Sequence, residues 1–156
     1  MFILYGHDVF ILWVQIPIGA VLETTYYRYA YFQENGKVLY ALSPLAPHEM
    51  IPKFVKVRKE GYSAMFTDHK SGILWGSYQV QKFQVTIHVS HAWHDVKLEL
   101  KILEYGCEEA RGRFWALSFE RHFSSASGDF DEYWSRDLVE YTTPHQPFLF
   151  LRDWRL

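Results

Sequence analysis

Residues 82–102 read Lys82-Phe83-Gln84-Val85-Thr86-Ile87-His88-Val89, then Ser90-His91-Ala92-Trp93-His94-Asp95, then Val96-Lys97-Leu98-Glu99-Leu100-Lys101-Ile102. In the last block apolar and charged residues alternate without a break. In the first, Phe83, Val85, Ile87 and Val89 alternate with Lys82, Gln84, Thr86 and His88. A strand sends successive side chains to opposite faces, so each block makes one apolar face and one wet face. The six residues between are few enough to reverse the chain. The stretch therefore predicts two antiparallel strands with one face on a core. A slip of one residue would turn all four apolar side chains of either strand to water, so the register is well specified.

The same pattern extends outward on both sides. Upstream, Gly72-Ile73-Leu74-Trp75-Gly76-Ser77-Tyr78-Gln79-Val80 opens the central meander, and Gly76 within it implies a bulge or sharp bend. Downstream, 104–112 is a polar turn. Residues 113–123 form a strand with Trp115, Leu117 and Phe119 on one face and Phe114, Ala116 and Ser118 on the other, the pattern of a strand covered on both sides. A loop at 124–129 leads into a mixed strand at 130–141 with solvent-facing charges. Pro144 and Pro147 then punctuate the chain, and Phe148-Leu149-Phe150-Leu151 begins a last strand that ends near Trp154.

Further upstream, the Thr- and Tyr-rich segment 24–33 reads as a strand, followed by Glu34-Asn35-Gly36 and a second strand at 37–42. Asn-Gly accepts positive φ at both central turn positions, which makes this the strongest hairpin signal in the chain. Residues 43–57 contain Pro44, Pro47 and Pro52, which argue against a long helix or a central strand. The expectation there is one helical turn around 48–50, an extended chain past Pro52, and a crossing near 44–57 that covers one end of the sheet. The basic run 56–59 reads as a solvated loop, and 62–66 as a short edge strand.

Residues 1–22 are almost all apolar but are split by His7 and Asp8. Their longest unbroken run is shorter than the roughly 20 residues that span a bilayer. No basic segment precedes them, and Pro17 and Glu23 do not suit a signal peptide. They read as a buried strand around 9–15, or as a start not native to the fold, and not as a membrane segment. The domain division is thus an apolar N-terminal segment at 1–22 and a single β domain at 23–156. Eight or nine strands joined by short turns make an all-β antiparallel meander. A strongly twisted sheet of that length tends to close on itself, removing its exposed edges, so the predicted fold is a β-barrel or strongly rolled sheet. A two-sheet sandwich is the alternative.

Composition narrows the function classes. The 156 residues suit one domain. The net charge is −2 and no basic stripe is present, which sets nucleic acid aside as a partner. Cys107 is the sole cysteine, so no internal disulfide forms. That fits a reducing compartment, the cytoplasm with the nucleus as a second possibility, and a small buried side chain.

Candidate chemistry is sparse. His88, His91 and His94 are three residues apart, and only a hairpin tip would gather them, with Asp95, around a metal. The reading preferred here is a His-rich turn around Trp93, with no metal. No Gly-x-Ser-x-Gly elbow occurs, and Gly36, Gly72 and Gly76 form no phosphate cradle. The acidic groups Glu108-Glu109 and Asp129, Asp131, Glu132 sit in or beside turns, where carboxylates are solvated. No catalytic residue and no cofactor follow from the sequence. The aromatic strand is more informative. Tyr27, Tyr29 and Tyr31 share one face, while Tyr26, Arg28, Ala30 and Phe32 share the other. One of these faces must be wet, covered or used. Aromatics with an arginine are what binding surfaces are made of, so Tyr27, Arg28, Tyr29 and Tyr31 are the candidate partner-binding residues.

Tyr26-Tyr27-Arg28-Tyr29, then Asn35-Gly36 and Val38, then a Pro-rich segment ending Ile51-Pro52-Lys53-Phe54, resemble the C-terminal domain of the F-box only protein 9 family and its fungal relatives. Gly72 to Val80 is similar to that family's next strand, and Pro147-Phe148-Leu149-Phe150-Leu151-Arg152 to its closing strand. The match runs over roughly 23–154, in order and spacing more than in dense identity. The resemblance implies a non-catalytic domain that recruits targets to a Skp–cullin–F-box ubiquitin ligase for ubiquitin-dependent degradation. The chain departs from the family in having no F-box: no Leu-Pro-x-Glu helix start and no helical bundle ahead of residue 24. Contact with the ligase adaptor would need an F-box outside this chain, and the sequence reads as a C-terminal fragment or a diverged domain. The alternative function is a lipocalin-like barrel that binds a small apolar ligand. The two differ in the interior, which a carrier leaves open by several hundred cubic ångströms and a presenting module fills with side chains. A hydrolase or metal enzyme is a third, lesser reading.

Overall fold

Alternation at residues 84–104 becomes two adjacent strands of a curled antiparallel sheet. The structure is a computed structural model that describes residues 3–12, 22–61, 72–91, 93–104, 114–132, 134–143 and 147–151. Its elements are β1 (Ile3–Leu12), β2 (Leu22–Phe32), β3 (Lys37–Ser43), α1 (Pro47–Glu60), β4 (Ile73–Gln81), β5 (Gln84–Ser90), β6 (Asp95–Glu104), β7 (Phe114–Ser125), β8 (Val139–Tyr141) and β9 (Phe148–Leu151). Strands β1 to β7 pair with their neighbours in sequence from β1 to β6 and again from β6 to β7, all antiparallel. Strand β9 inserts between β7 and β1, and β8 pairs with the end of β7 on the same edge as β9. Backbone pairing thus runs around a ring, as the meander pattern predicts for a sheet that closes. β1 extends nearer the N-terminus than the 9–15 segment expected from sequence, and it belongs to the same sheet.

The register matches the alternation. Val85, Ile87 and Val89 of β5 face Leu100, Leu98 and Val96 of β6. All six are buried, in one cluster with Ala30, Val38, Tyr40, Leu117 and Phe148. This cluster is the interior of the roll. Its counterpart lies outside, where Tyr29, Tyr31, Leu39, Ala41, Ile73 and Trp75 meet Met50, Phe54 and Val57 of α1.

That helix corrects two expectations. Residues 47–60 form fourteen residues of helix, not a single turn, and the basic run 56–59 is its last turns, not a loop. Pro47 opens the helix, where its missing N–H costs nothing. Pro52 lies inside and removes one backbone hydrogen bond. What holds the helix is the i, i+4, i+7 spacing of Met50, Phe54 and Val57, which puts all three on the face pressed to the sheet. Tertiary burial overrides the local signal of the proline. Gly61 follows as the C-terminal stop, with its N–H donated to the Val57 carbonyl.

Two turns also differ in detail. The 33–37 hairpin forms, but Gly36 alone takes positive φ, at 77°. Gln33 N–H donates to Lys37 O, and Gly36 N–H to Gln33 O, so the loop has three residues and ends in a left-handed glycine. Gly76 introduces no bulge: pairing runs through it to both Val38 and Val89. Its role is space, since a Cβ there would lie 2.3 Å from the His88 carbonyl oxygen. The bulge that bears on the site lies in β7, where pairing shifts between Glu99 and Leu100; a second shift falls between Leu103 and Glu104. The mixed strand expected at 130–141 reduces to β8 at its end, after a loop. The proposed 62–66 edge strand, the 105–112 turn, Cys107, the side chain of Trp115 and the chain beyond 151 lie outside the described residues.

Candidate functional site

One end of the roll is built from the last residues of β3, the first of β4, the β5–β6 loop, the end of β7 and β8. It holds an open cavity of about 680 Å³. Leu42, Leu74 and Val96 supply apolar wall; Arg28, Tyr40, His91, His94, His122, Ser124 and Tyr141 supply the polar groups. Below the cavity the interior is filled: Val38, Ile87, Leu98, Leu100 and Phe148 are all buried.

Arg28 reaches this cavity because it alternates with Tyr27 and Tyr29 on β2. By register it faces Gly6 of β1 and Leu42 of β3, while Asp8 of β1 stands opposite Tyr26. The side chain is 3% exposed. Its Nη1 donates to the Tyr40 hydroxyl at 3.2 Å and lies 3.5 Å from Nδ1 of His122. The guanidinium also sits over the Phe119 ring, 5.2 Å from its centre. A buried guanidinium is stable only where such groups satisfy it.

His122 enters through the bulge. Leu117 and Phe119 pack on the interior cluster. Plain alternation would continue inward with Arg121 and Phe123. Glu120 is the extra residue between Phe119, opposite Leu100, and Arg121, opposite Glu99. The faces exchange there, so His122 and Ser124 turn to the cavity and Arg121 turns to solvent. The His122 ring stacks on Tyr141 with centroids 4.7 Å apart, and the Ser124 and Tyr141 hydroxyls are 3.0 Å apart.

Tyr141 is held in place by the loop before it. The Asp137 carboxylate accepts hydrogen bonds from the Ser135 hydroxyl at 2.8 Å, the Ser127 N–H at 2.6 Å and the Ser127 hydroxyl at 3.0 Å, which hold its carboxyl down at about 2. On the outer face Arg121 pairs with Glu132 and with Glu140, the neighbour of Tyr141.

Burial first, then the Arg28 charge and then His94, push the His122 imidazole down to about 4 from its ordinary 6.5. It is neutral at pH 7. Because the folded value is depressed, the unfolded chain binds the extra proton first as pH falls. Stability is therefore intact above pH 6.5 and is lost between 6.5 and about 4, by about 3 kcal/mol in all. His88, lowered mainly by its own burial, adds in the same direction. Urea midpoints across this range should fall in the native chain and flatten in His122→Gln; equal slopes would remove His122 as the cause.

The structure separates the residues chosen from sequence. Tyr29 and Tyr31 are buried under α1, with the Tyr29 hydroxyl donating to Leu45 O at 2.5 Å and the Arg58 guanidinium over Tyr31. Tyr27 is partly buried against the same cluster. Of wet, covered or used, this face is covered, and the idea that it offers an exposed aromatic surface is corrected accordingly. Arg28 alone of the four lines the cavity. His91 and His94 line it too, with rings 5.0 Å apart, whereas His88 points outward to Phe130. Among the described residues no group of three metal-ligating side chains forms, and no helix is long and apolar enough to cross a membrane. Around the mouth Trp93 is 82% exposed, Tyr141 45% and Leu42 41%, and Trp134 on the β7–β8 loop is 81% exposed. Nothing in the sequence alone singles out His122 or Tyr141. An inward polar residue on an otherwise apolar strand face was available as a signal for Tyr40 only. No protein-family model, curated protein or solved structure matches this chain.

Proposed function

We propose that this chain is a non-catalytic recognition domain that holds a partner protein at the mouth of the barrel, as the substrate-recruiting domain of an F-box protein does. The observation that carries the reading is the mouth itself: a cavity of about 680 Å³ above a filled interior, rimmed by the exposed side chains of Trp93, Tyr141 and Leu42. Aromatic residues and arginine in and around a pocket are the composition of interface hot spots. The likeness of 26–38, 51–54, 72–80 and 147–152 to the F-box only protein 9 domain supplies the ubiquitin-ligase context, in which the adaptor would be reached through an F-box elsewhere. The apolar share of the cavity wall favours the second reading, a carrier for a small apolar ligand.

The test is affinity capture from the cell's own extract, with a Trp93→Ala/Tyr141→Ala variant beside the native chain. Specific proteins recovered by the native chain and lost by the variant, at unchanged circular dichroism, are the expected result. The same proteins on both baits would remove the mouth as the surface. No retained protein, with a co-purified small molecule in native mass spectrometry, would put the carrier in its place.

A further inference from the structure

We propose that Asn35 is a site of spontaneous succinimide formation, at which the chain converts its own side-chain amide to an aspartyl or isoaspartyl residue. The proposal is independent of the recognition reading, since the β2–β3 loop lies at the other end of β3 from the mouth. Three features lead to it. The first is sequence. Asn35 is the chain's only asparagine, and a glycine follows it. With no side chain at residue 36, nothing there shields the Gly36 nitrogen from the Asn35 side chain. The second is access: Asn35 is exposed, so water reaches the amide and the imide it forms. The third is a hydrogen bond. The Lys37 N–H donates to Asn35 Oδ1 at 3.1 Å. A side-chain oxygen bonded two residues ahead folds back over the peptide between, which turns Cγ toward the Gly36 nitrogen. The same bond sits on the oxygen where negative charge develops when Cγ is attacked, the place of an oxyanion donor. The Gly36 N–H itself is held loosely, since its bond to the Gln33 carbonyl is 3.3 Å, beyond the usual range.

The steps balance with water as the only co-reactant. Gly36 gives its amide proton to solvent, and its nitrogen bonds to Cγ of Asn35. The tetrahedral centre takes up a proton and breaks its bond to Nδ2, which leaves as ammonia. Water then opens the cyclic imide at either carbonyl. One opening leaves an aspartyl residue. The other routes the main chain through the former side chain and adds a carbon to the backbone of the loop. Both products add a negative charge. The rerouted chain also lengthens a loop that β4 holds at two points, where the Tyr78 N–H donates to Gly36 O at 2.8 Å and the Tyr78 hydroxyl to Gln33 O at 2.7 Å. The corner that joins β2, β3 and β4 therefore carries the change.

The test incubates the purified full chain for weeks at neutral pH, folded and in urea. Intact mass, peptide maps and enzymatic methylation of isoaspartyl groups with labelled S-adenosylmethionine are the readouts. Expected is conversion of the folded chain at position 35, with isoaspartyl the larger product and no mass gain in Asn35→Gln. Lys37→Pro removes the N–H donor at the first residue of β3, where a proline is tolerated. It should slow the conversion by about threefold or more, the worth of one hydrogen bond. Circular dichroism checks its fold. Should that variant not fold, the comparison with urea carries the same point: the folded chain should convert at least as fast as the unfolded one, which keeps Asn35-Gly36 but loses the hydrogen bond. An amide that stays intact in the folded chain while the unfolded chain converts would overturn the proposal. Equal mass gain in Asn35→Gln would place the reaction at a glutamine and overturn the site. A folded Lys37→Pro chain that converts at the native rate would overturn the role of the hydrogen bond.

Discussion

Phe148→Ala is expected to lower stability by about 3–5 kcal/mol, the range for truncating a buried aromatic. That is a large fraction of what a domain of this size has. Phe148 is 1% exposed and lies in the interior cluster, with its ring 4.7 Å from that of Phe119. It also sits on the strand with the least backbone pairing around the ring. Strand β9 has three paired positions with β1 and two with β7, against ten between β1 and β2. So short a strand is held by its side chain more than by its ladder. Urea unfolding gives the size of the loss. Hydrogen exchange gives its place: amides of β9 and the facing parts of β1 and β7 should lose protection first, with β4 to β6 keeping theirs. A loss below about 1 kcal/mol would mean that Phe148 does not hold the seam.

Gly76→Ala is expected to cost about 3 kcal/mol, the upper end for over-packing. The added methyl would sit 2.3 Å from the His88 carbonyl oxygen and 3.0 Å from Cγ2 of Val89. The nearer atom is backbone and cannot rotate away. Relief requires parting β4 from β5, which breaks the pairing of Gly76 with Val89 and its neighbours. A midpoint unchanged in Gly76→Ala would mean that the two strands separate at little cost. The glycine has an ordinary negative φ, so the effect measures crowding alone and not backbone strain.

Much of the sheet was legible because strand alternation is a local code. Residues 84–90 and 95–102 needed only their own pattern to assign a face to every side chain, and the buried cluster of Val85, Ile87, Val89, Val96, Leu98 and Leu100 follows it. Asn35-Gly36 announced a hairpin for an equally local reason, the low cost of a left-handed glycine. Locality also explains the errors. Three prolines in 43–57 argued against a helix, yet Met50, Phe54 and Val57 bury a whole face against Tyr29, Tyr31 and Trp75. That gain exists only once the sheet is present. The same helix turns Tyr29 and Tyr31 from a surface into a core, so their exposure was not a property of their own strand.

By itself the sequence determined which residues make strands, which face of most strands is apolar, and that the sheet is long enough to roll. Tertiary structure alone decided the site. Arg28 and His122 lie 94 positions apart and come within 3.5 Å of each other only because the sheet closes. One extra residue, Glu120, exchanges the faces of β7 and turns His122 inward, where strict alternation would have placed Arg121. Alternation is fixed by the geometry of one strand, but which strand a residue meets across the barrel, and on which side of a bulge it falls, depends on pairing between segments far apart in the chain.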